Sequence, residues 1–267
     1  MRLSRLLRST PPFAGRLHVL PTVDSTNDEV RRLASRNAEE GTVVAANQQT
    51  AGRGRLGRPW HSPAGTGLYI SVLFCPEDPP DRVTRWTLAA SVAACEACRE
   101  IAGCAVEIDW PNDLVVGRRK LGGILAELRS PSGRRSELVI GAGLNVSQRR
   151  QDLPEDLAPR ATSLHLASGR SILDRERLAA AYLRRLAWAR DRLRGDEWDE
   201  VARRWERLAC GAHGSRVRVL ADEAGGDRGS YEGVTAGLDP TGALLVRRSD
   251  GTIVAVRMAD AVVPLEG

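Results

Sequence analysis

The chain has 267 residues, 42% of them hydrophobic and 27% charged, with a formal net charge of +5. That balance belongs to an ordinary globular protein with room for one large domain or two unequal ones, and it excludes global disorder. No apolar run reaches the ~18–20 residues of a membrane-spanning helix. The longest, around Thr87–Ala94 and Leu138–Val146, are broken by polar residues or Gly, so the chain is not an integral membrane protein.

Of the 39 basic residues, 38 are Arg and one, Lys120, is Lys. A general preference for Arg accounts for the 38 and makes the exception informative. An ammonium is compact and strongly hydrated where a guanidinium is planar and broad, so Lys120 marks a place where a point charge is wanted. A charge of +5 over this length is weak support for nucleic-acid binding. The five Cys are odd in number, in a chain too long to need a disulfide scaffold. Cys95 and Cys98 form a C-x-x-C near Cys104, within an Ala-rich segment, Asp81–Ala102, that reads as a buried helix. With no second C-x-x-C and no paired His to complete a zinc site, these are expected to be structural thiols in a reducing cytoplasm.

In chain order, residues 1–16 read as a short basic tail (Arg2, Arg5, Arg8, Arg16) rather than a targeting peptide. A first strand is predicted at Leu17–Leu20, followed by a helix that opens on a capping box, Thr26 with Glu29. Strands are predicted at Thr42–Ala46 and Leu68–Phe74, then the long helix 81–102. A strand follows at Ala105–Trp110, then the pair Leu114–Val116 and Leu121–Leu128, and after the Pro131–Arg135 turn a run from Glu137 to Asn145. Two amphipathic helices come next, the first carrying Leu178, Tyr182, Leu186 and Leu193 on one stripe. From residue 210 the pattern changes to short β runs (Val217–Leu220, Tyr231–Ala236, Ala243–Val246, Thr252–Val256) joined by Asp239-Pro240-Thr241-Gly242 and Ser249-Asp250-Gly251 turns. The organisation predicted is an α+β domain at 17–209 followed by a small β-barrel at 210–267.

Residues 52–57, Gly-Arg-Gly-Arg-Leu-Gly, match the dinucleotide-binding pattern G-x-G-x-x-G literally. The context refuses it, because residues 47–51 separate it from the strand and Pro59 and Pro63 forbid a helix behind it. What remains is a Gly-rich loop with Arg53, Arg55 and Arg58 and no acid, ending at Trp60. Such a loop can cradle an anion through backbone N–H groups and guanidinium forks, or it is simply an exposed basic loop. A second cluster is Trp110-Pro111-Asn112-Asp113-Leu114 followed by Lys120-Leu121-Gly122-Gly123. Asn112 and Asp113 fit ordinary turn chemistry. Adjacent Gly in a strand, however, marks a ligand or backbone in close approach, and an ammonium beside it suits a carboxylate or a phosphate. H-E-x-x-H, G-x-S-x-G and Walker A patterns are all missing from the sequence.

Five segments together resemble the biotin protein ligases: Asp24-Ser25-Thr26-Asn27, Gln49 to Arg58, Trp110 to Leu114, Lys120 to Leu125, and Gly141-Ala142-Gly143-Leu144-Asn145-Val146. They occur in the family's order over roughly residues 17–146. The resemblance implies a mixed sheet flanked by helices, as in a class II synthetase-like catalytic domain, followed by an SH3-like barrel. It also implies ATP and Mg2+ as co-substrate, biotin as substrate and no tightly bound metal. The implied reaction forms biotinyl-5′-AMP and then biotinylates a lysine of a biotin carboxyl carrier protein. It places Ser25, Thr26, Asn27, Gln49, Arg53, Gly54, Arg55, Lys120 and Gly123 around biotin, and Arg55, Arg58, Trp60, Asn112, Asp113 and Asn145 around the nucleotide. Lys120, Arg55 and Asp113 are the implied catalytic residues. Asp109 stands where many relatives have Lys, and the 16 residues before the first strand are too few for the DNA-binding winged helix of some relatives. No DNA and no membrane partner is therefore expected, and the oligomeric state, a homodimer included, stays open. Alternatives are a lipoate-attaching ligase and, in a different class, a nucleic-acid-binding module.

Overall fold

The computed structural model describes residues 12–130, 135–171, 173–220, 230–257 and 261–265. Arg2, Arg5 and Arg8 of the basic tail, and all of the Pro131–Arg135 turn except Arg135, lie outside these residues. The larger part is built on a seven-stranded sheet of order β1-β2-β3-β7-β6-β5-β4. Its strands are β1 (Leu17–Leu20), β2 (Val43–Ala46), β3 (Gly67–Phe74), β4 (Glu107–Asp109), β5 (Asp113–Val116), β6 (Arg119–Arg129) and β7 (Glu137–Asn145). Only β1 and β2 pair in parallel, so the sheet is mixed, as expected.

Its two faces have different occupants, and the period-2 alternation of β3 shows how they are separated. Leu68, Ile70, Val72 and Phe74 point into the main core with Val43, Ala45, Leu138, Ile140, Ala142, Leu144, Ile124 and Leu114. That core is closed by α2 (Val83–Ala102), α4 (Arg175–Arg194) and α5 (Trp198–Leu208). Leu178, Tyr182, Leu186 and Leu193 of α4 are all buried there, as their spacing predicts. Cys95 and Cys98 lie buried in α2, and burial pushes both thiols up, Cys95 to about 12. The other face of the sheet carries a smaller cluster in which Val30 and Ala34 of α1 (Thr26–Ser35) meet Val44, Leu73 and Val139. The rest of that face, rich in polar residues and glycine, holds the candidate site.

The expected capping box does not form. Ser25 is the N-cap of α1 without a side-chain cap bond, and the Glu29 carboxylate instead accepts from Arg32 Nε at 2.7 Å. The Thr26 hydroxyl is engaged elsewhere, as described below.

Strands β8 (His213–Leu220), β9 (Tyr231–Leu238), β10 (Leu244–Arg247), β11 (Ile253–Val256) and β12 (Ala261–Pro264) form an antiparallel, barrel-like sheet of order β11-β10-β9-β8-β12. Its inward residues Val217, Val219, Leu244, Val246 and Val256 run into the same core as α2. The junction is reinforced by Arg85 on α2, which donates to the Pro240 carbonyl at 2.7 Å while its guanidinium lies over the Trp198 ring. The short helix α3 (Leu164–Ser168) completes the described helices.

Candidate functional site

One cross-strand row defines the floor of the site. Register pairs Tyr69 with Gly143, Gly143 with Gly123, Gly123 with Asp113 and Asp113 with Asp109, so five adjacent strands present these residues on the same face. In the middle of the row two glycines replace side chains with bare backbone. A Cβ on Gly143 would come within 2.5 Å of Trp60 Nε1, so the indole lies directly on the strand. Gly141, one row over, faces Asn27 just as closely and could not carry a side chain there.

Lys120 reaches this face through an irregularity. Asp113 pairs with Gly123 and Leu114 with Gly122, but Val115 pairs with Lys120, so β6 holds one extra residue at Leu121. In a regular strand residues 120 and 123 point to opposite faces; the bulge puts them on the same one. Lys120 Nζ thereby lies 2.6 Å from Asp113 Oδ2 and 5.8 Å from the centre of the Trp60 ring. The strand entrance is fixed by a neighbouring segment: the Lys120 N–H donates to the Arg160 carbonyl, and the Thr162 N–H to the Lys120 carbonyl, both at 2.8 Å.

Beside the floor a hydrogen-bonded chain runs along the start of α1. Gln49 Oε1 accepts from the Thr26 N–H (2.9 Å) and hydroxyl (3.0 Å), while Gln49 Nε2 donates to Ser62 Oγ at 2.9 Å. Ser71 Oγ lies 2.7 Å from the Thr26 hydroxyl and 2.6 Å from Asn27 Oδ1. Asn27 Nδ2 donates to Glu127 Oε2 at 2.6 Å. Ser25, Thr26, Asn27 and Ser71 are all buried, and such a linked polar group in an otherwise apolar sheet holds its members in one geometry.

Residues 52–60 form a short hairpin over this ground. Trp60 N–H donates to the Gly52 carbonyl and Gly54 N–H to the Arg58 carbonyl, each at 2.8 Å, with a tight turn at Arg55-Leu56-Gly57 where Leu56 has φ 56°. Arg55 Nη1 donates to Asn112 Oδ1 at 3.2 Å, and Asn112 Nδ2 to the Ile124 carbonyl at 2.8 Å. Burial lowers the guanidinium pKa of Arg55, opposed by the Asp113 charge. Arg53 turns the other way, onto Asp28, and Arg58 is exposed.

Asp109 ends the row. Burial, with the like charge of Asp113, raises its carboxyl to about 6, and Lys120 offsets part of that. Two carboxylates and one ammonium therefore share the end of the floor.

The Biotin/lipoate A/B protein ligase family model matches residues 19–145. The bifunctional ligase/repressor BirA of Bacillus subtilis is 35% identical over 234 residues, covering 86% of this chain and 68% of that protein. A biotin--[acetyl-CoA-carboxylase] ligase of Mycobacterium tuberculosis is 37% identical over 175 residues, 64% of this chain and 62% of that one. Among solved structures, the biotin protein ligase from Aquifex aeolicus in complex with biotin and ATP superposes with a TM-score of 0.80 at 30% identity, covering 94% of this chain and 100% of that chain. The chain belongs to the biotin protein ligases.

For a member of that family, most of the sequence-predicted residues converge. Thr26, Asn27 and Gln49 form the polar chain, with Ser25 buried next to it as the N-cap of α1; Gly54, Arg55, Trp60, Asn112, Asp113, Lys120 and Gly123 surround the floor. Asn145 does not join them through its side chain, because its Nδ2 donates to the Thr162 carbonyl (3.0 Å) and its Oδ1 accepts from Gln148 (3.1 Å). It braces the segment that backs Lys120. Ser71, Ser62, Glu127 and Asp28 belong to the site and carry no motif. Ser71 alone leaves a trace, as a hydroxyl inside the apolar run Leu68–Phe74.

Proposed function

We propose that this protein activates biotin with MgATP as biotinyl-5′-AMP and then transfers the biotinyl group to a lysine of a biotin carboxyl carrier protein. The observation that carries the reading is the convergence of Lys120, Arg55, Asn112 and Asp113 at one end of a glycine floor whose other side is the Thr26–Asn27–Gln49–Ser71 polar chain. A cyclic urea presents one carbonyl and two N–H groups, and that chain offers hydroxyls and amides to match them. The valerate tail then runs beside Trp60, whose indole already covers Gly143, towards Lys120. Trp60 Nε1 is buried without a hydrogen-bond partner, so an acceptor brought to the edge of the indole satisfies it.

In the first step a carboxylate oxygen attacks the α-phosphorus, the bond to the β-phosphate oxygen breaks, and pyrophosphate leaves. Two anions must approach, so the barrier is electrostatic, and cations fixed beside the reacting oxygens stabilise the transition state more than the separated substrates. Lys120 neutralises the carboxylate and phosphate oxygens as a point charge; Arg55 supplies a second cation through its fork, oriented by Asn112. In the second step the amine of the carrier lysine attacks the mixed anhydride, AMP leaves with the electron pair of the broken C–O bond, and the nitrogen gives up its proton. Asp113, next to Lys120, is the carboxylate placed to accept it. The free thiols support a reducing compartment, the cytoplasm, as the setting, and the domain boundary is proposed between residues 209 and 210. Among the described residues no helix is long and apolar enough to cross a membrane.

The test is to incubate the protein with ATP, a biotin carrier domain and either biotin or lipoate, and to weigh the carrier. A gain of one biotinyl group with biotin, and none with lipoate, is expected. Lipoylation, or no modification of a carrier that another biotin ligase modifies, contradicts the reading.

A further inference from the structure

Arg53 sits in the Gly-Arg-Gly-Arg loop as though to meet an anionic ligand, but its guanidinium is already taken. Nη1 donates to Asp28 Oδ2 at 2.6 Å and Nη2 to Asp28 Oδ1 at 2.7 Å, a two-point fork on a half-buried carboxylate. Asp28 lies in the first turn of α1, directly after Asn27 of the polar chain. Its Oδ1 also accepts from Arg31 Nη1 at 2.9 Å, and Arg31 is paired in turn with Glu127, which holds Asn27. The arm carrying Arg53 has glycine on both sides, Gly52 and Gly54, so no neighbouring side chain tethers it. The tip beyond it exposes Leu56 and sends Arg55 to Asn112 on the far side of the floor.

We propose that Asp28 is a positioning residue: it captures Arg53, pins the first arm of the hairpin to α1, and so leaves Arg55 as the arginine of that arm directed at the reacting groups. Arg53 is then a latch, not a phosphate ligand. Because Asp28 is flanked by Asn27, the latch and the biotin-side polar chain rest on the same turn of helix, and the hairpin keeps its register over the floor. The inference rests on the ligase reading for one of its two readouts only.

Asp28→Asn, Arg53→Gln and the double variant of the full chain provide the test. The first readout is the release rate of biotinyl-AMP formed in place. The second, made without any ligand, is the initial rate of tryptic cleavage between Arg55 and Leu56, mapped by mass. Each single change is expected to raise both rates roughly tenfold, with the double no faster than either, as for two residues acting through one contact. Arg53→Gln leaves Asp28 paired to Arg31, so the fold survives. If Asp28→Asn fails to fold, Arg53→Lys carries the test, since it keeps the charge and loses the fork; it is expected to cleave faster than the parent. An unchanged Asp28→Asn beside an accelerated Arg53→Gln, an additive double variant, or a parent-like Arg53→Lys overturns the proposal. A chain that makes no biotinyl-AMP contradicts the ligase reading instead, and the cleavage rates still decide on the latch.

Discussion

Lys120 Nζ lies 2.6 Å from Asp113 Oδ2 although the two residues sit on antiparallel strands whose regular register would turn them to opposite faces of the sheet. The extra residue at Leu121 makes the contact, which is the use to which a β-bulge is commonly put: one side chain re-aimed without altering the rest of the strand. The pair balances its own charge in the ligand-free protein, and in the proposed reaction an incoming carboxylate and phosphate would compete with Asp113 for the ammonium.

The glycine floor gives the first prediction. Gly143→Ala places a methyl 2.5 Å from the Trp60 indole nitrogen, so the ring or the strand must shift. Such overpacking costs about 1–3 kcal/mol, read here as displacement of Trp60 rather than unfolding. Biotin affinity is expected to fall roughly tenfold or more, with a change in Trp fluorescence and a thermal midpoint within a few degrees of the parent. Parent-like affinity by calorimetry contradicts the placement of the tail beside Trp60.

Arg55 gives the second. Arg55→Ala removes a charge-assisted contact worth about 1.5–3 kcal/mol, so biotinyl-AMP is expected to leave roughly ten- to a hundredfold faster. Biotin binding in the absence of ATP is expected to change much less. Rapid-filtration release assays measure the first quantity and calorimetry the second; equal loss of both contradicts a role at the adenylate.

How much of this was legible in the sequence divides by distance along the chain. The strands other than β12, the main helices and the five motif segments follow from alternation, glycine placement and resemblance, and the structure puts them where those signals point. The capping box fails because Thr26 has a stronger use for its hydroxyl 23 and 45 residues away, at Gln49 and Ser71. The bulge at Leu121 is invisible because nothing in Lys-Leu-Gly-Gly says which strand will pair with which register. Glu127 and Asp28 look like ordinary helix and strand surface charges until Asn27 and Arg53 are brought to them by the fold. Ser71 alone leaves a mark, as one hydroxyl inside the apolar run Leu68–Phe74.

Asp109 gives a prediction in pH. Its carboxyl is raised from 3.8 to about 6, so the folded state disfavours the charged form. Well below pH 4 the group is protonated in both states and costs nothing; the penalty develops as pH rises from about 4 to about 6 and is complete above that. Asp109→Asn is therefore expected to stabilise the ligand-free protein above pH 6 and to lose that advantage towards pH 4. The displacement sets an upper bound of ~3 kcal/mol, and partial exposure of the carboxyl reduces the expected gain to about 1–2 kcal/mol. Thermal midpoints of parent and variant from pH 4 to 8 measure it. A difference that is flat with pH, or that grows on acidification, contradicts the assignment.

The central claim is that the ammonium of Lys120, carried to the floor by the bulge, stabilises the meeting of a carboxylate and an α-phosphate. Lys120→Arg keeps the charge but replaces a compact point donor with a broad planar fork beside Asp113. The direct measurement is single-turnover formation of biotinyl-AMP, with parent and Lys120→Arg each saturated with biotin and MgATP. A loss of roughly a hundredfold or more in the rate of that step, with biotin binding and thermal midpoint close to the parent's, is expected for a contact made mainly in the transition state. Parent-like single-turnover adenylation by Lys120→Arg would contradict it.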